Sequence, residues 1–176
     1  RNVFMGYYKD EAATAETLID GWLYSGDLGE FDGDGYLYIT GRKKDIIITA
    51  GGKNVAPIPM ESALKNLDVV SEAVVIGDRR KFLSVLVSLD TEAATQYMAD
   101  NGLSGDPHES PEIRAEIQQA VDAMNANYAR VEQIKKFTVL PRELSIEGGE
   151  LTPTLKVKRN KVAEHCSGEI DALYAA

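Results

Sequence analysis

A chain of 176 residues and 19.2 kDa in which 44% of residues are apolar can bury a real core, which excludes a disordered or collagen-like polymer. Its 19 basic and 28 acidic residues leave a net charge of −9, against a general nucleic-acid binder or a polybasic membrane-surface protein. The lone Cys166 excludes an internal disulfide, and no apolar run approaches the roughly 18 residues that a membrane span needs.

Charge is unevenly spread along the chain. Residues 42–90 carry a net +2 and residues 135–162 a net +4, as two basic islands in otherwise acidic sequence. The charge break near residue 41 divides a front segment, residues 1–41, from a second domain, residues 42–176. Arg1-Asn2-Val3-Phe4 has neither an initiator methionine nor a targeting pattern, so a piece of something longer is expected.

Taken in order, the residues predict a short helix over Asp10 to Ile19 and a hairpin of Leu28 to Phe31 with Tyr36 to Thr40 around Asp32-Gly33-Asp34-Gly35. That turn lacks the further acids of a calcium loop. Ile46 to Thr49 reads as a short buried strand, and a helix with Pro59 in its first turn runs to Asn66. Ala73 to Ile76 and Leu83 to Leu89 read as strands, and Thr91 to Ala99 as a helix. A loop follows from Asn101 to Pro111. Ile113, Ile117, Val121, Met124 and Tyr128 recur at helical spacing and predict one long helix from Glu112 to Val131. Phe137 to Leu140 is a predicted strand, Arg142 to Pro153 irregular, and Arg159 to Ala175 a terminal helix. The expected fold is α+β: a short β-rich segment, then a small mixed sheet with flanking helices.

Protease or esterase chemistry has little support, because there is no GxSxG turn and neither His108 nor His165 has a partner at a useful spacing. Both histidines are expected to be solvated surface groups. Two histidines and one cysteine make no metal-ligand set. Gly51-Gly52-Lys53 is glycine-rich and basic, but Ile47 and Asn54 occupy the places where a phosphate-binding P-loop needs Gly and Ser/Thr. Two unusual segments remain, GRKKDIIITAGGKNVAP and LTPTLKVKRNKV. Cations on loops beside rigid strands can stabilise phosphate oxygens as they gain charge. From spacing alone, a solvated basic turn is the more economical reading.

Read together and in order, the segments RNVFMGYYKDEAATAETLIDGWLYSGDLGEFDGDGYLYITGRKKDIIITAGGKNVAP and LTPTLKVKR resemble the last third of an adenylate-forming enzyme of the acyl-CoA synthetase superfamily, in its long-chain fatty acyl-CoA synthetase branch. The resemblance implies a two-step ligase. A fatty carboxylate attacks the α-phosphate of ATP and releases pyrophosphate, leaving an acyl-adenylate. The thiol of coenzyme A then displaces AMP to give the thioester. ATP, Mg2+ and coenzyme A would serve the full-length enzyme, with none expected on this chain alone. A large amino-terminal domain would be missing, and the chain alone would be inactive. The implied setting is the cytoplasm, with transient membrane contact reasonable for an enzyme of lipids.

The resemblance also assigns roles. Asp27 matches the acid that accepts hydrogen bonds from the ribose of ATP, and Arg42 the arginine that reaches the ribose and phosphates. Lys44 matches the hinge about which the small domain turns between the two steps. Gly51 and Gly52 match the loop that lets the pantetheine arm of coenzyme A pass. Lys156 matches the lysine that bridges carboxylate and phosphate oxygens during adenylation, with Lys158 and Arg159 its neighbours. Two departures stand out: Ile48 occupies a place where many relatives have lysine, leaving Lys53 as a substitute, and TLK stands where the motif usually reads SGK. The second, with the insertion from Tyr97 to Ala129, is the long-chain form. Acids of medium chain length, aryl acids, carrier-bound acids and a non-catalytic module on the same fold remain open.

Overall fold

In the computed structural model, which describes residues 4–175, the Asp10 carboxylate accepts a 2.9 Å hydrogen bond from the Ala13 N–H and so starts helix α1 (Glu11–Thr17). This helix stops earlier than the sequence predicts. Asp20 and Gly21 both take positive φ, 51° and 82°, which is the turn that pairs β1 (Leu18–Ile19) with β2 (Trp22–Leu23). Next, β3 (Asp27–Phe31) and β4 (Leu37–Arg42) form an antiparallel pair. At their turn the Asp32 carboxylate accepts from the N–H groups of Tyr36 and Asp34, and the Tyr36 bond is the main cause that holds its carboxyl below the ordinary value. The part of the chain up to Ile46 is one compact unit. Of its described residues only Gly41 is buried, and Trp22, Phe31, Tyr36 and Ile39 are exposed. An apolar surface of that kind points to an interaction face.

The second unit begins at Ile47, shortly after the charge break. It opens with β5 (Ile47–Ile48) paired to β6 (Asn54–Val55), and with α2 (Ile58–Leu64), whose first turn holds Pro59. The sheet follows. Its order is β7 (Val70–Ile76), β8 (Leu83–Leu89) and β9 (Ile134–Val139), with β7 antiparallel and β9 parallel to the central β8. The crossover from β8 to β9 carries α3 (Thr91–Asp100) and α4 (Pro111–Asn125).

Every residue of β8 is buried, because helices and loops cover both faces of this central strand. Leu83, Val85, Val87 and Leu89 pack with Met60, Leu64, Ile113 and Ile117 on one face. On the other face Leu86 and Val74 pack with Leu140, Val162 and Ile170, the last two from α5 (Arg159–His165) and α6 (Ser167–Tyr174). Two serines share that second face and are fully bonded. Ser84 Oγ donates to the Tyr174 hydroxyl at 2.9 Å, and Ser88 Oγ accepts from Leu144 N at 3.0 Å. The arrangement is α+β with a small mixed sheet, as the sequence predicts.

In the second unit two helices differ most from expectation. The predicted helix to Val131 ends at Asn125, because the Asn125 side-chain amide exchanges two 2.9 Å hydrogen bonds with the Ile134 backbone and thereby turns the chain into β9. Tyr128 still packs on the core, but from beyond the helix. The predicted terminal helix divides at Cys166, whose φ of −104° and ψ of 27° leave the helical region. Its thiol is buried, and burial pushes its pKa up. Among the described residues no helix is long and apolar enough to cross a membrane.

Candidate functional site

Antiparallel pairing sets Asp27 directly opposite Arg42. The Arg42 Nε then meets Asp27 Oδ1 at 2.9 Å, with the Asp27 side chain, though not its backbone, mostly covered and the Arg42 side chain more than half exposed. The outer donors of the arginine fork therefore remain open to a ligand. Lys44 is exposed in a short 3-10 turn, Lys43–Asp45, that immediately precedes the division at Ile46.

Gly51 and Gly52 lie in the tight connection between β5 and β6. Gly52 N donates to Thr49 O at 2.9 Å and takes a φ of +78°, which a side chain would strain. Gly51 is different. A Cβ there would meet only Thr49 Oγ1, at 3.9 Å, so nothing in this fold requires that glycine. Beside the loop is a cavity of about 490 Å3 whose lining joins Thr49, Phe82 and Val131 to Gly51, Gly52 and the cations Lys53, Lys81, Arg130 and Lys135. Lys53 is partly neutralised by Glu132 at 3.1 Å, and the cluster as a whole can hold a polyanion. Ile48 is exposed.

Lys156 sits on a hairpin whose first leg, Leu151 to Pro153, falls in the stretch predicted to be irregular. Leu151 pairs with Val157, Thr152 N donates to Lys156 O at 2.8 Å, and Lys156 N donates back to Thr152 Oγ1 at 3.0 Å. Pro153 occupies the second place of a turn closed by Leu155 N donating to Thr152 O at 2.9 Å. Leu155 then takes a φ of +57°. A three-residue hairpin loop ends in this left-handed conformation, and glycine fills it without strain. Leucine holds this conformation here at a cost of roughly 1–2 kcal/mol. Among the described residues Lys156 forms no ion pair, and its residue is exposed. Arg159, by contrast, is held by Glu61 and by the carbonyl of Val75, tying the start of α5 to β7.

Sequence reasoning missed what holds this hairpin. Glu150, at its foot, is fully buried, and its Oε1 is gripped by Arg142 at 2.5 Å and by His165 Nδ1 at 2.8 Å. The Arg142 hydrogen bond is the main cause that pulls the Glu150 carboxyl from 4.5 to about 2. It is therefore ionised and accepts only, which places the proton on His165 Nδ1. A Cβ on Gly148 would overlap the Glu150 carboxylate, so the close turn needs glycine there. The Gly148-Gly149 pair was the available signal. The histidines also depart from expectation. His165 is surface-lying but tied to a buried acid, and the His108 side chain is mostly covered, with Nδ1 2.9 Å from Asp106.

Residues 44–176 match the family of AMP-binding enzyme C-terminal domains, which is most of the chain. The chain belongs to this family. As an AMP-binding enzyme C-terminal domain it is 46% identical, over 98% of its length, to the long-chain-fatty-acid-CoA ligase FadD15 of Mycobacterium tuberculosis, of which it spans 30%. Among solved structures, it resembles the adenylation domain of a carboxylate reductase from Mycobacterium chelonae, with TM-score 0.76 and 29% identity over 98% of this chain and 26% of that one. The o-succinylbenzoate CoA synthetase of Bacillus subtilis, solved with its acyl-adenylate intermediate, is also similar, with TM-score 0.64 and 28% identity over 92% of this chain and 28% of that one.

Proposed function

We propose that this chain is the carboxy-terminal domain of an ATP-dependent long-chain fatty acid-CoA ligase, and that Lys156 serves its adenylation step. The observation that carries the reading is an exposed lysine held on a fixed hairpin, in a chain that aligns along nearly its whole length with a ligase of that name. The relative is more than three times longer, so a large preceding domain is the proposed owner of the acyl pocket and of the surface that covers Trp22, Phe31, Tyr36 and Ile39. Residues 1–41 are then the edge of that domain and residues 42–176 the small domain.

In this reading Asp27 accepts the ribose hydroxyls of ATP while it orients Arg42 toward the ribose and phosphates. The described residues hold no group of three or more His, Cys, Asp or Glu placed for a metal. Lys44 is the hinge. Gly51 and Gly52 face the pantetheine arm in the second step. Because the Gly51 Cβ position is free of close contacts, Gly51→Ala in the full-length ligase is expected to leave the melting temperature unchanged and slow thioester formation by about tenfold or more. A melting curve and the thioester rate check it, and an unchanged rate removes the channel role.

The substrate class is tested by ATP–pyrophosphate exchange in the full-length enzyme with palmitate, hexanoate and benzoate. Exchange strongest with palmitate is expected. Exchange strongest with benzoate or hexanoate would move the substrate class, and no exchange with any acid would remove the ligase reading.

A further inference from the structure

We propose that Glu150 is a positioning residue for adenylation: its buried carboxylate, clamped by Arg142 and His165, fixes the foot of the hairpin that delivers the Lys156 ammonium. The proposal rests on the adenylation role of Lys156. It begins from an oddity of burial. A carboxylate with no exposed surface is among the least expected groups in a core, and a well-packed apolar side chain would commonly give equal or better stability. What such a group supplies instead is a fixed geometry.

The connections radiate from one residue. Through its side chain Glu150 reaches Arg142 at 2.5 Å, His165 on α5 at 2.8 Å and the Ser145 N–H at 3.4 Å. Through its backbone carbonyl it accepts from Lys158 N at 2.7 Å, beyond the other end of the hairpin. The next residue, Leu151, pairs with Val157 and is itself buried. Both legs of the Lys156 hairpin therefore leave the core at Glu150. The clamp joins the preceding loop, the hairpin and α5, none of which shares a long strand ladder with the others.

Delivery of a charge to a reacting phosphate depends on such fixation. A displacement of about 1 Å can cost on the order of a hundredfold in rate, and lysine itself adds four rotatable bonds beyond the backbone. The hairpin tip carries a strained residue, Leu155, so the tip contributes no rigidity beyond its own turn bonds. Its order has to come from the foot.

The test uses the full-length ligase with Glu150→Gln, which keeps shape and removes charge. Acyl-adenylate formation is expected to fall about 10- to 100-fold, with the KM for ATP nearly unchanged and thioester formation from preformed acyl-adenylate within about twofold. The Thr152, Lys156 and Lys158 amides, which are hydrogen-bonded across the hairpin, should exchange with deuterium faster. Lys156→Ala is run beside it and should lose adenylation with those amides unchanged, which separates a failed clamp from a failed lysine. Equal loss of both half-reactions in Glu150→Gln, unchanged adenylation, or unchanged amide protection overturns the proposal. So does full adenylation by Lys156→Ala, which removes the reading beneath it. If Glu150→Gln does not fold, Arg142→Lys, altered at a half-exposed side chain, should show the same selective loss in smaller measure, and no loss or an equal loss overturns the clamp.

Discussion

Replacing Lys156 with alanine in the full-length protein, proposed above to be a ligase, is expected to lower acyl-adenylate formation by about 100- to 1000-fold and to leave thioester formation from preformed acyl-adenylate within about twofold. The asymmetry follows from where charge develops. In the first step a carboxylate approaches an α-phosphate that is already negative, and negative charge builds on the phosphoryl oxygens as the new bond forms. An ammonium held there gains attraction in the transition state that it lacks in the ground state, and only such a difference accelerates the step. In the second step a thiol attacks the carbonyl carbon and AMP departs, so that attraction is no longer the limiting interaction. Two of the nearby cations are poor substitutes. Arg159 is committed to Glu61, and Lys161 is paired with Glu164 at 2.8 Å. Pyrophosphate exchange reads the first step and a coenzyme A-dependent chase of acyl-adenylate reads the second.

Lys44→Pro should give the opposite pattern, with the thioester half-reaction slowed by about tenfold or more and adenylation within about threefold. Lys44 lies in an exposed three-residue turn immediately before the boundary between the two compact units. A hinge needs a few residues whose φ and ψ can change. Proline fixes φ near −65° and restricts the residue before it, here Lys43, so the change becomes costly without any loss of core packing. Lys44→Ala is the control: it removes the charge and keeps the freedom, and near-normal rates for both halves are expected. Rapid-quench measurement of the two halves checks both variants, and an unchanged second half in Lys44→Pro counts against the hinge.

Periodicity made the second unit legible. Ile113, Ile117, Val121 and Met124 announced α4, and the apolar run from Leu83 to Leu89 announced a strand, which the structure buries on both faces. The ends of helices were not legible, because tertiary bonds set them. Asn125 ends α4 by bonding to a residue of β9, a partner that helix propensity cannot foresee. The candidate site divides in the same way. Asp27, Arg42, Lys44, Gly51, Gly52 and Lys156 stand in short motifs that the family resemblance picks out, although spacing alone favours a solvated basic turn. Glu150, Arg142 and His165 do not, since their meeting depends on how α5 packs against the sheet. A buried ionised carboxylate looks in sequence like any surface glutamate, and Gly148, which makes room for it, looks like an ordinary turn.

The central claim is that one small domain serves adenylation through the Lys156 hairpin and thioester formation through a turn at Lys44. Measuring both half-reactions in Lys156→Ala and Lys44→Pro side by side, in the full-length enzyme, tests it most directly. Crossed losses are predicted, with Lys156→Ala failing in the first half and Lys44→Pro in the second. Parallel losses, in which each variant slows both halves by the same factor, would contradict it.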